Sequence, residues 1–395
     1  MPLLDGVIVL DLSHTLAGPF ATMVLADLGA TVIKVEPLWG DETRGWAPFK
    51  DKLSAYYASI NRGKKSIAVD LTKPEGREVV YRIASRASIV FENYRRGVRE
   101  KLGVDPETLF KINPRLVYVS IKGFAEGSRY EGKPAYDIVI QALSGLMAYT
   151  GEEGRPPVRV AFALFDVITG LLAALAGVSA LYAGRKPAYI EVTMYEAALY
   201  AMCYLPAIYL IAGVEPKRMG SAHPSIVPYQ AFQGSDGSWF VVAAANDQLF
   251  KRLVEALGLN KLLEDPRYRT NADRVKHREE LVRVLEEVFS KKPTSYWVKL
   301  LESHGVPVAP VQRFPEIYSR DELERLTISV EHPEAGSIRL PKPPVSVNGR
   351  VEYSRLHPPL LGEHAEEILE WLGYSSGEAR RLMESGVVCC PRGRG

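Results

Sequence analysis

The sequence predicts an α/β fold in which a doubly wound, mainly parallel sheet carries helices on both faces. Three observations lead there. Residues Gly6 to Leu12 (GVIVLDL) form a continuous apolar run of the kind that fills a strand buried on both faces. A loop and a helix-patterned stretch, HTLAGPFATMVLADLGA, separate it from a second strand-like run, TVIKVEP, which gives the β-loop-α-β order of a doubly wound sheet. The same alternation continues over about 200 residues with no internal repeat.

Composition narrows the class. With 395 residues the chain has room for two or three domains and a large core. Its net charge of +2 comes from interspersed signs without a basic block, so nucleic acid is not expected as a partner, whereas scattered Arg and Lys suit a phosphorylated small molecule. The cysteines, Cys203, Cys389 and Cys390, have no metal-ligand spacing, and an adjacent pair is a poor disulfide. A cytoplasmic, reduced protein with no metal site is expected. The N-terminus lacks a basic region and cleavage site, and Asp, Gly or Pro breaks the longest apolar runs. Neither a signal peptide nor a membrane span is expected. Scarce Gln and Asn beside abundant Arg, Glu and Pro lean toward a thermophile.

Taken in order, the loop Ser13 to Pro19 follows the first strand and faces a ligand if the sheet is doubly wound. It is not GxGxxG, which argues against a dinucleotide site. His14 there is either a base or a packed, capping residue. Pro37 to Pro48, rich in Gly, Trp and charge, reads as an irregular loop. Asn61, Arg62, Lys64 and Lys65 form a basic cluster before the strand Ser66 to Leu71, either a solvated turn or a phosphate contact. Lys73 to Ser85 reads as a helix with Pro74 in its first turn. SIVFENYRRG follows as a strand whose end, Asn93 to Arg96, either stacks an adenine and clamps a phosphate or is a polar turn. PETLFKIN reads as a short helix, RLVYVSIKGF as a strand and GFAEGSRYEGKP as a Gly-rich loop.

After AYDIVIQALSGLMAYTG comes PVRVAFALFDVITGLLAALAG, in which Asp166 is the single acid of an apolar run. An ionised carboxylate is costly to bury alone. Asp166 is therefore a helix N-cap, a hydrogen-bonded structural acid or a reactive group at a pocket floor; Val167, Ile168, Leu171, Leu172 and Leu175 follow it at helical spacing. Beyond Tyr200 the chain changes character. Pro206 to Pro216 reads as a connection, MGSAHPSIVPYQAFQGSDGSWFVVAAAN as strand, Asp-Gly turn and strand, and DQLFKRLVEALGL and ADRVKHREELVRVLEEVFSKK as amphipathic helices. YWVKLLESHGVPVAPV leads back toward the first domain, HAEEILEWLG is a helix, and the tail CCPRGRG is expected to be mobile.

Several separated motifs keep a recognisable order: LDGVIVLDLSHTLAGPFATMVLADLGATVIKVE, NRGKKSIAVDLTKPEG, FENYRRGV, NPRLVYVSIKGF, AYDIVIQALSGLM, the Asp166 stretch, HPSIVPYQAF and PPLLGEH. From Leu4 to about Leu372 the chain resembles the class III CoA-transferase family, which includes formyl-CoA and carnitine CoA-transferases and the α-methylacyl-CoA racemases. The resemblance implies a large Rossmann-like domain from N- and C-terminal parts: residues 1–200, a linker 201–224, a small α/β domain over 225–325, and residues 326–395 returning to the large domain. It also implies an interlocked homodimer.

The residue matching the family nucleophile is Asp166. The implied chemistry is covalent: Asp166 attacks the donor thioester, and the anhydride so formed is converted by the CoA thiolate to an aspartyl-CoA thioester, from which CoA passes to an acceptor acid. A helix start, with its dipole and free N–H groups, is expected to keep this carboxylate ionised. The matching CoA contacts are Leu16, Ala17, Val69, Asp70, Leu71, Thr72, Asn93, Tyr94, Arg95, Lys101, Lys133, Ala135 and Tyr136, with CoA a substrate moiety and no tightly bound cofactor. Leu16 stands where formyl-CoA transferases have Gln, and Pro37 where some members have Arg, a lost charge that Arg95 or Arg96 replaces. Tyr136 and Asp137 match the segment facing the nucleophile. Racemases carry His before that Asp, and a phenol is a poor base for an α-proton at pH 7. Transfer of CoA between carboxylic acids is thus the expected activity, an acyl-CoA racemase or epimerase the alternative. Gly220 to Pro224 is expected near the site, with His223 either a substrate contact or structural.

Overall fold

Why an apolar run becomes a strand here is visible from its two faces. In a computed structural model describing residues 2–184, 187–351 and 353–389, β1 (Ile8–Asp11) turns Val9 into one buried layer and Leu10 into another. Both layers are covered by helices, so neither face of the strand tolerates a polar residue before its carboxyl end. After β1 the chain lays down β2 (Thr31–Glu36), a hairpin of β3 (Phe49–Lys50) and β4 (Leu53–Ser54), then β5 (Lys64–Val69), β6 (Ile89–Glu92), β7 (Val117–Lys122) and β8 (Ala188–Thr193). The helices Pro74–Arg86 and Ala365–Trp371 bury Val79, Ile83, Ile368 and Leu369 against the Leu10 face. The helices Ala17–Asp27 and Leu164–Tyr182 bury Ala21, Leu25, Ala173 and Ala174 against the Val9 face.

The chain divides into two units, one of residues 1–145, 160–212 and 324–395, the other of 146–159 and 213–323. The second unit has its own sheet: β9 (Tyr229–Gln233) and β10 (Trp239–Ala243) pair antiparallel around Asp236 and Gly237, and β11 (Val308–Pro310) pairs with β10. The stretch expected to lead away from this sheet thus supplies its third strand. Phe232, Phe240, Phe289 and Trp297 pack its core. Arg274 is buried there with its guanidinium spent on Val227 O (2.8 Å), Tyr268 O (3.1 Å) and Asp247 Oδ1 (2.7 Å). The second amphipathic stretch forms two helices, Asn271–Lys276 and Arg278–Phe289, with His277 between them.

Returning to the first unit, β12 (Thr327–His332) and β13 (Gly336–Pro341) form a separate antiparallel pair, and β14 (Val388–Cys389) joins the large sheet. Part of the tail expected to be mobile is thus an edge strand; Cys390 to Gly395 lie outside the described residues. The sheet order is β14-β5-β2-β1-β6-β7-β8, parallel throughout except for β14. Successive strands move from β1 to one side, and the chain then reverses to place β6 on the other. Loops leaving β1 and β6 diverge at this switch point and open a crevice at the carboxyl edge, where ligands bind in such sheets.

A further sequence expectation is corrected. Tyr204–Ala212 is a helix, not a connection: Pro206 sits in its first turn, where a missing N–H costs no intrahelical bond. Leu164–Tyr182, mean hydropathy 2.0, is long and apolar enough by composition to cross a membrane, despite Asp166 near its start. In the fold it lies on β7, β8 and the Ala17–Asp27 helix as a sheet-covering helix.

Candidate active site

At the switch point a cavity of about 580 Å³, within the usual range of small-molecule sites, is bounded by the loops after β1, β6 and β7 and by the start of the Leu164–Tyr182 helix. Asp166 reaches it from the first turn of that helix. It is not the N-cap: Ala163 holds that position, and the Phe165 N–H is satisfied from outside by Asp137 Oδ1 at 2.8 Å. Asp137 is itself buried and takes a further hydrogen bond from Gln141, whose Oε1 accepts the Val160 N–H at 2.9 Å. An external carboxylate thus caps the helix, which leaves Asp166 free to face the cavity.

The electrostatics also differ from expectation. Burial, and next the Asp137 carboxylate, push the Asp166 carboxyl up to about 7, against a hydrogen bond from the Ala17 backbone that favours the charged form. At the helix terminus the Phe165 N–H goes to Asp137 and not to Asp166. Tyr56 stands close enough to share this field: burial, then Asp166, Asp137 and Asp41, push its hydroxyl up to about 12.

Ala17 is fixed at close quarters. Gly170, one turn beyond Asp166, passes so near Ala17 that a Cβ on it would lie 2.6 Å from the Ala17 carbonyl oxygen. A Cβ on Gly18 would lie 2.2 Å from Ser13 Cβ, so the loop also folds tightly on itself. His14 exchanges two hydrogen bonds with Asn93: its N–H donates to Asn93 Oδ1 (3.0 Å) and its carbonyl accepts from Asn93 Nδ2 (2.8 Å). Burial lowers the His14 imidazole below its usual value, partly opposed by Asp41, and its ring leans on Tyr94.

The basic cluster is neither a solvated turn nor part of the cavity wall. Lys64 is fully buried and donates to Asp11 Oδ2 (3.0 Å), Pro19 O (2.8 Å) and Asn61 Oδ1 (2.9 Å), using all three of its protons. Arg62 is buried against Asp27 (2.6 Å), and Lys65 pairs with Glu367. Charges before a strand read as solvated from sequence, but here the fold buries Arg62 and Lys64 against Asp27 and Asp11. Lys34 of β2, also fully buried, donates to Ser13 O (2.8 Å) and Asp41 Oδ2 (3.0 Å).

Of the residues the sequence pointed to, the fold gathers Leu16, Ala17, Asn93, Tyr94, Arg95, Lys133, Ala135, Tyr136 and Asp166 around the cavity. Tyr136 is exposed there, and Gly123 lets Ala135 approach, since a Cβ on it would stand 2.3 Å from that of Ala135. Tyr94 packs partly against the core rather than standing free as a stacking platform. Val69, Asp70, Leu71, Thr72 and Lys101 do not line the cavity. Val69 and Leu71 are core residues, Asp70 takes hydrogen bonds from Thr72 (3.0 Å to its N–H), and Lys101 is exposed on the short helix Val98–Leu102. Pro37 shapes a turn by accepting the Gly40 N–H (2.8 Å). His223, in the second unit, accepts the Ser225 N–H (3.1 Å) on Nδ1 and leans on Tyr229.

Sequence reading missed Arg99 and Lys122, which line the cavity while paired with the buried Glu92 at 3.1 Å each. An acid closing a strand, Glu92, with a Lys closing the next is the pattern that could have marked them. Nothing in KLSAYYASIN marks Tyr56.

Comparison with known proteins agrees with this geometry. Residues 4–365 match the model of CoA-transferase family III. The succinyl-CoA:glutarate CoA-transferase of Mus musculus is 40% identical over 98% of this chain and 90% of its own length. The acetyl-CoA:oxalate CoA-transferase of Acetobacter aceti is 37% identical over 87% of this chain and 89% of its own. A CaiB/BaiF family protein from Brucella suis has a crystal structure that superimposes with a TM-score of 0.82 at 35% identity, covering 93% of this chain and 99% of that one. A carboxylate facing a switch-point cavity in such a sheet, with matches extending over most of the chain, places the protein in CoA-transferase family III, as an enzyme that transfers CoA between carboxylic acids.

Proposed function

We propose that the chain moves CoA from a dicarboxylic acyl-CoA to a second dicarboxylic acid, with Asp166 as the covalent carrier. The choice of dicarboxylates is supported by the Mus musculus relative, which is named for succinyl-CoA and glutarate. The observation that carries the mechanism is Asp166 itself, a half-buried carboxylate at the cavity with the Ala17 N–H on it. An Asp166 oxygen adds to the donor thioester carbonyl; the C–S bond breaks, and CoA leaves as thiolate with an acyl-aspartyl anhydride on the enzyme. The thiolate then attacks the aspartyl carbonyl, and the donor acid departs as carboxylate. The acceptor carboxylate attacks the resulting aspartyl-CoA thioester and expels thiolate, which attacks the acceptor acyl carbon and returns Asp166 to its carboxylate. No net proton is taken up or released, so the cycle needs no general base.

CoA is held in this reading by Leu16, Ala17, Asn93 to Arg95 and Lys133 to Tyr136 at the cavity, and its nucleotide end by Asp70, Thr72 and Lys101 along the same edge of the sheet. Arg95 carries phosphate charge there, with Arg96 shared by Glu126 and Glu131. The enzyme works as a homodimer with interlocked chains. Support for a partner comes from the helix Tyr204–Ala212, which is apolar yet has no residue buried within its own chain.

The test is isotopic. Donor acyl-CoA and free dicarboxylic acids are incubated with the enzyme in heavy water, with ¹⁸O in the acceptor carboxylate, and products are read by mass spectrometry. New CoA esters, ¹⁸O exchange into Asp166 and no deuterium at the α-carbon are expected. Asp166→Ala should abolish transfer while CoA-ester affinity stays within about tenfold, because the lost group makes bonds rather than anchoring the nucleotide. Transfer near the wild-type rate in that variant removes Asp166 from the mechanism.

A further inference from the structure

We propose that Lys34 and Lys64 are positioning residues for the transfer: from beneath the carboxyl edge of the sheet they hold the Ser13–Ala17 loop in the one conformation that aims the Ala17 N–H at Asp166. Neither lysine lines the cavity, and both are fully buried. What they bond to is informative. Each spends a donor on a main-chain carbonyl that brackets the loop, Lys34 on Ser13 O (2.8 Å) and Lys64 on Pro19 O (2.8 Å). Their counter-ions hold the same segment: Asp11 accepts the Ser13 N–H (3.0 Å) and the Thr22 hydroxyl (2.6 Å), and Asp41 accepts the Thr15 N–H (3.3 Å to Oδ2). Two buried ion pairs are poor value as packing, since apolar residues of the same volume usually serve stability as well or better. They are suited to fixing a backbone that would otherwise relax.

That backbone has something to relax. Thr15 has φ +68°, in the left-handed region that β-branched residues avoid. It is held there by Asp41 on its N–H and by Glu42 Oε1 on its hydroxyl (2.6 Å). Two residues later is Ala17, whose N–H bonds Asp166 and which Gly170 admits to close contact. Relaxation at Thr15 therefore moves a donor that steadies the Asp166 carboxylate and, once Asp166 is acylated, the oxygen on its carbonyl carbon.

The lysines differ in charge stability. Burial lowers the Lys64 ammonium to about 8, against the pull of Asp11 and with a further push from Lys34; Asp41 also faces it and favours the charged form. Lys34 is held above its usual value, because Asp41, Asp11 and Glu36 outweigh its burial. Above about pH 8 Lys64 loses its proton, Asp11 is left without that partner and the loop loosens. Turnover then falls on the alkaline side for a reason outside the substrate site.

The inference rests on Asp166 as the nucleophile, and the readout separates the two. Enzyme is mixed with succinyl-CoA, quenched on the millisecond scale and digested, and the Asp166 peptide is weighed for the covalent CoA adduct. If Asp166 is not the nucleophile, even wild type traps nothing. If the lysines position the loop, Lys34→Gln forms the adduct and turns over about 10 to 100 times more slowly, with KM for the donor within about threefold, and Lys34→Arg recovers most of the loss. Thr15→Gly, placed in the Lys34→Gln background, should recover at least about threefold, because glycine takes the left-handed conformation without strain. A repair of packing offers no reason for that recovery. Folded Lys34→Gln with wild-type adduct formation, or no gain from Thr15→Gly, overturns the proposal. Should Lys34→Gln fail to fold, the wild-type profile decides: kcat flat from about pH 7.5 to 9.5 would sink the lysine lock.

Discussion

In the proposed mechanism Asp166 carries two opposing demands, since it must be ionised to attack and yet sits where charge is disfavoured. Burial and the Asp137 carboxylate set it at about 7, and in the proposed mechanism its deprotonated form is the one that attacks. Turnover should accordingly fall by about tenfold for each pH unit below that value. Asp137→Asn keeps an oxygen for the Phe165 N–H but removes a negative charge, so the Asp166 carboxyl should titrate lower and the acid limb of kcat should move to lower pH. A limb that stays in place in this variant means that burial alone sets the value. Asp166 stood out in the sequence, because a lone carboxylate in an apolar run needs a reason. Its environment was not: the helix cap comes from Asp137, far back in the chain, and residue spacing carries no record of which acid takes which N–H.

At the scale of elements the crossing of two helices decides how well the site is built. Gly170 and Gly177 lie on the same helix, yet a Cβ on the first meets Ala17 O at 2.6 Å and one on the second meets Val119 at an ordinary 3.4 Å. Gly170→Ala should cost about 1–3 kcal/mol and lower kcat more than about tenfold by displacing Ala17. Gly177→Ala should be neutral or stabilise by up to about 1 kcal/mol, since alanine is the better helix former. Thermal melting with kcat on the pair checks this; equal effects would show that helix packing, not the Ala17 approach, is being measured. Strands such as β1 and β7 were legible because burial on both faces leaves an unbroken apolar run. The start of β5 was not, since Lys64 reads as a solvated charge until the strands that bury it are assembled. The helix Tyr204–Ala212 was hidden by Pro206, a helix breaker everywhere but the first turn.

For the whole molecule, several large apolar side chains stand exposed among the described residues. Leu175, Leu210 and Ile211 are 64%, 78% and 86% exposed, and Tyr182 is 95% exposed. The proposed homodimer would cover such residues, so Leu210→Glu with Ile211→Glu should convert it to monomer in sedimentation and abolish activity; a double variant that sediments as wild type removes this helix from the interface. No periodicity in one chain announces a second copy, and the interlocked dimer entered the sequence reading only through resemblance.

The edge strand β14 has a bearing on how the protein comes to exist at all. Val388 lies opposite Val69 and Cys389 opposite Ala68, with the Asp70 N–H on Val387 O at 2.8 Å. Strand β5 is therefore bare on one side through the synthesis of more than three hundred further residues. A chain still on the ribosome presents that row of unpaired amides to every neighbouring nascent chain, a template for unwanted strand addition. Residues made more than three hundred positions later thus shield part of a strand made early.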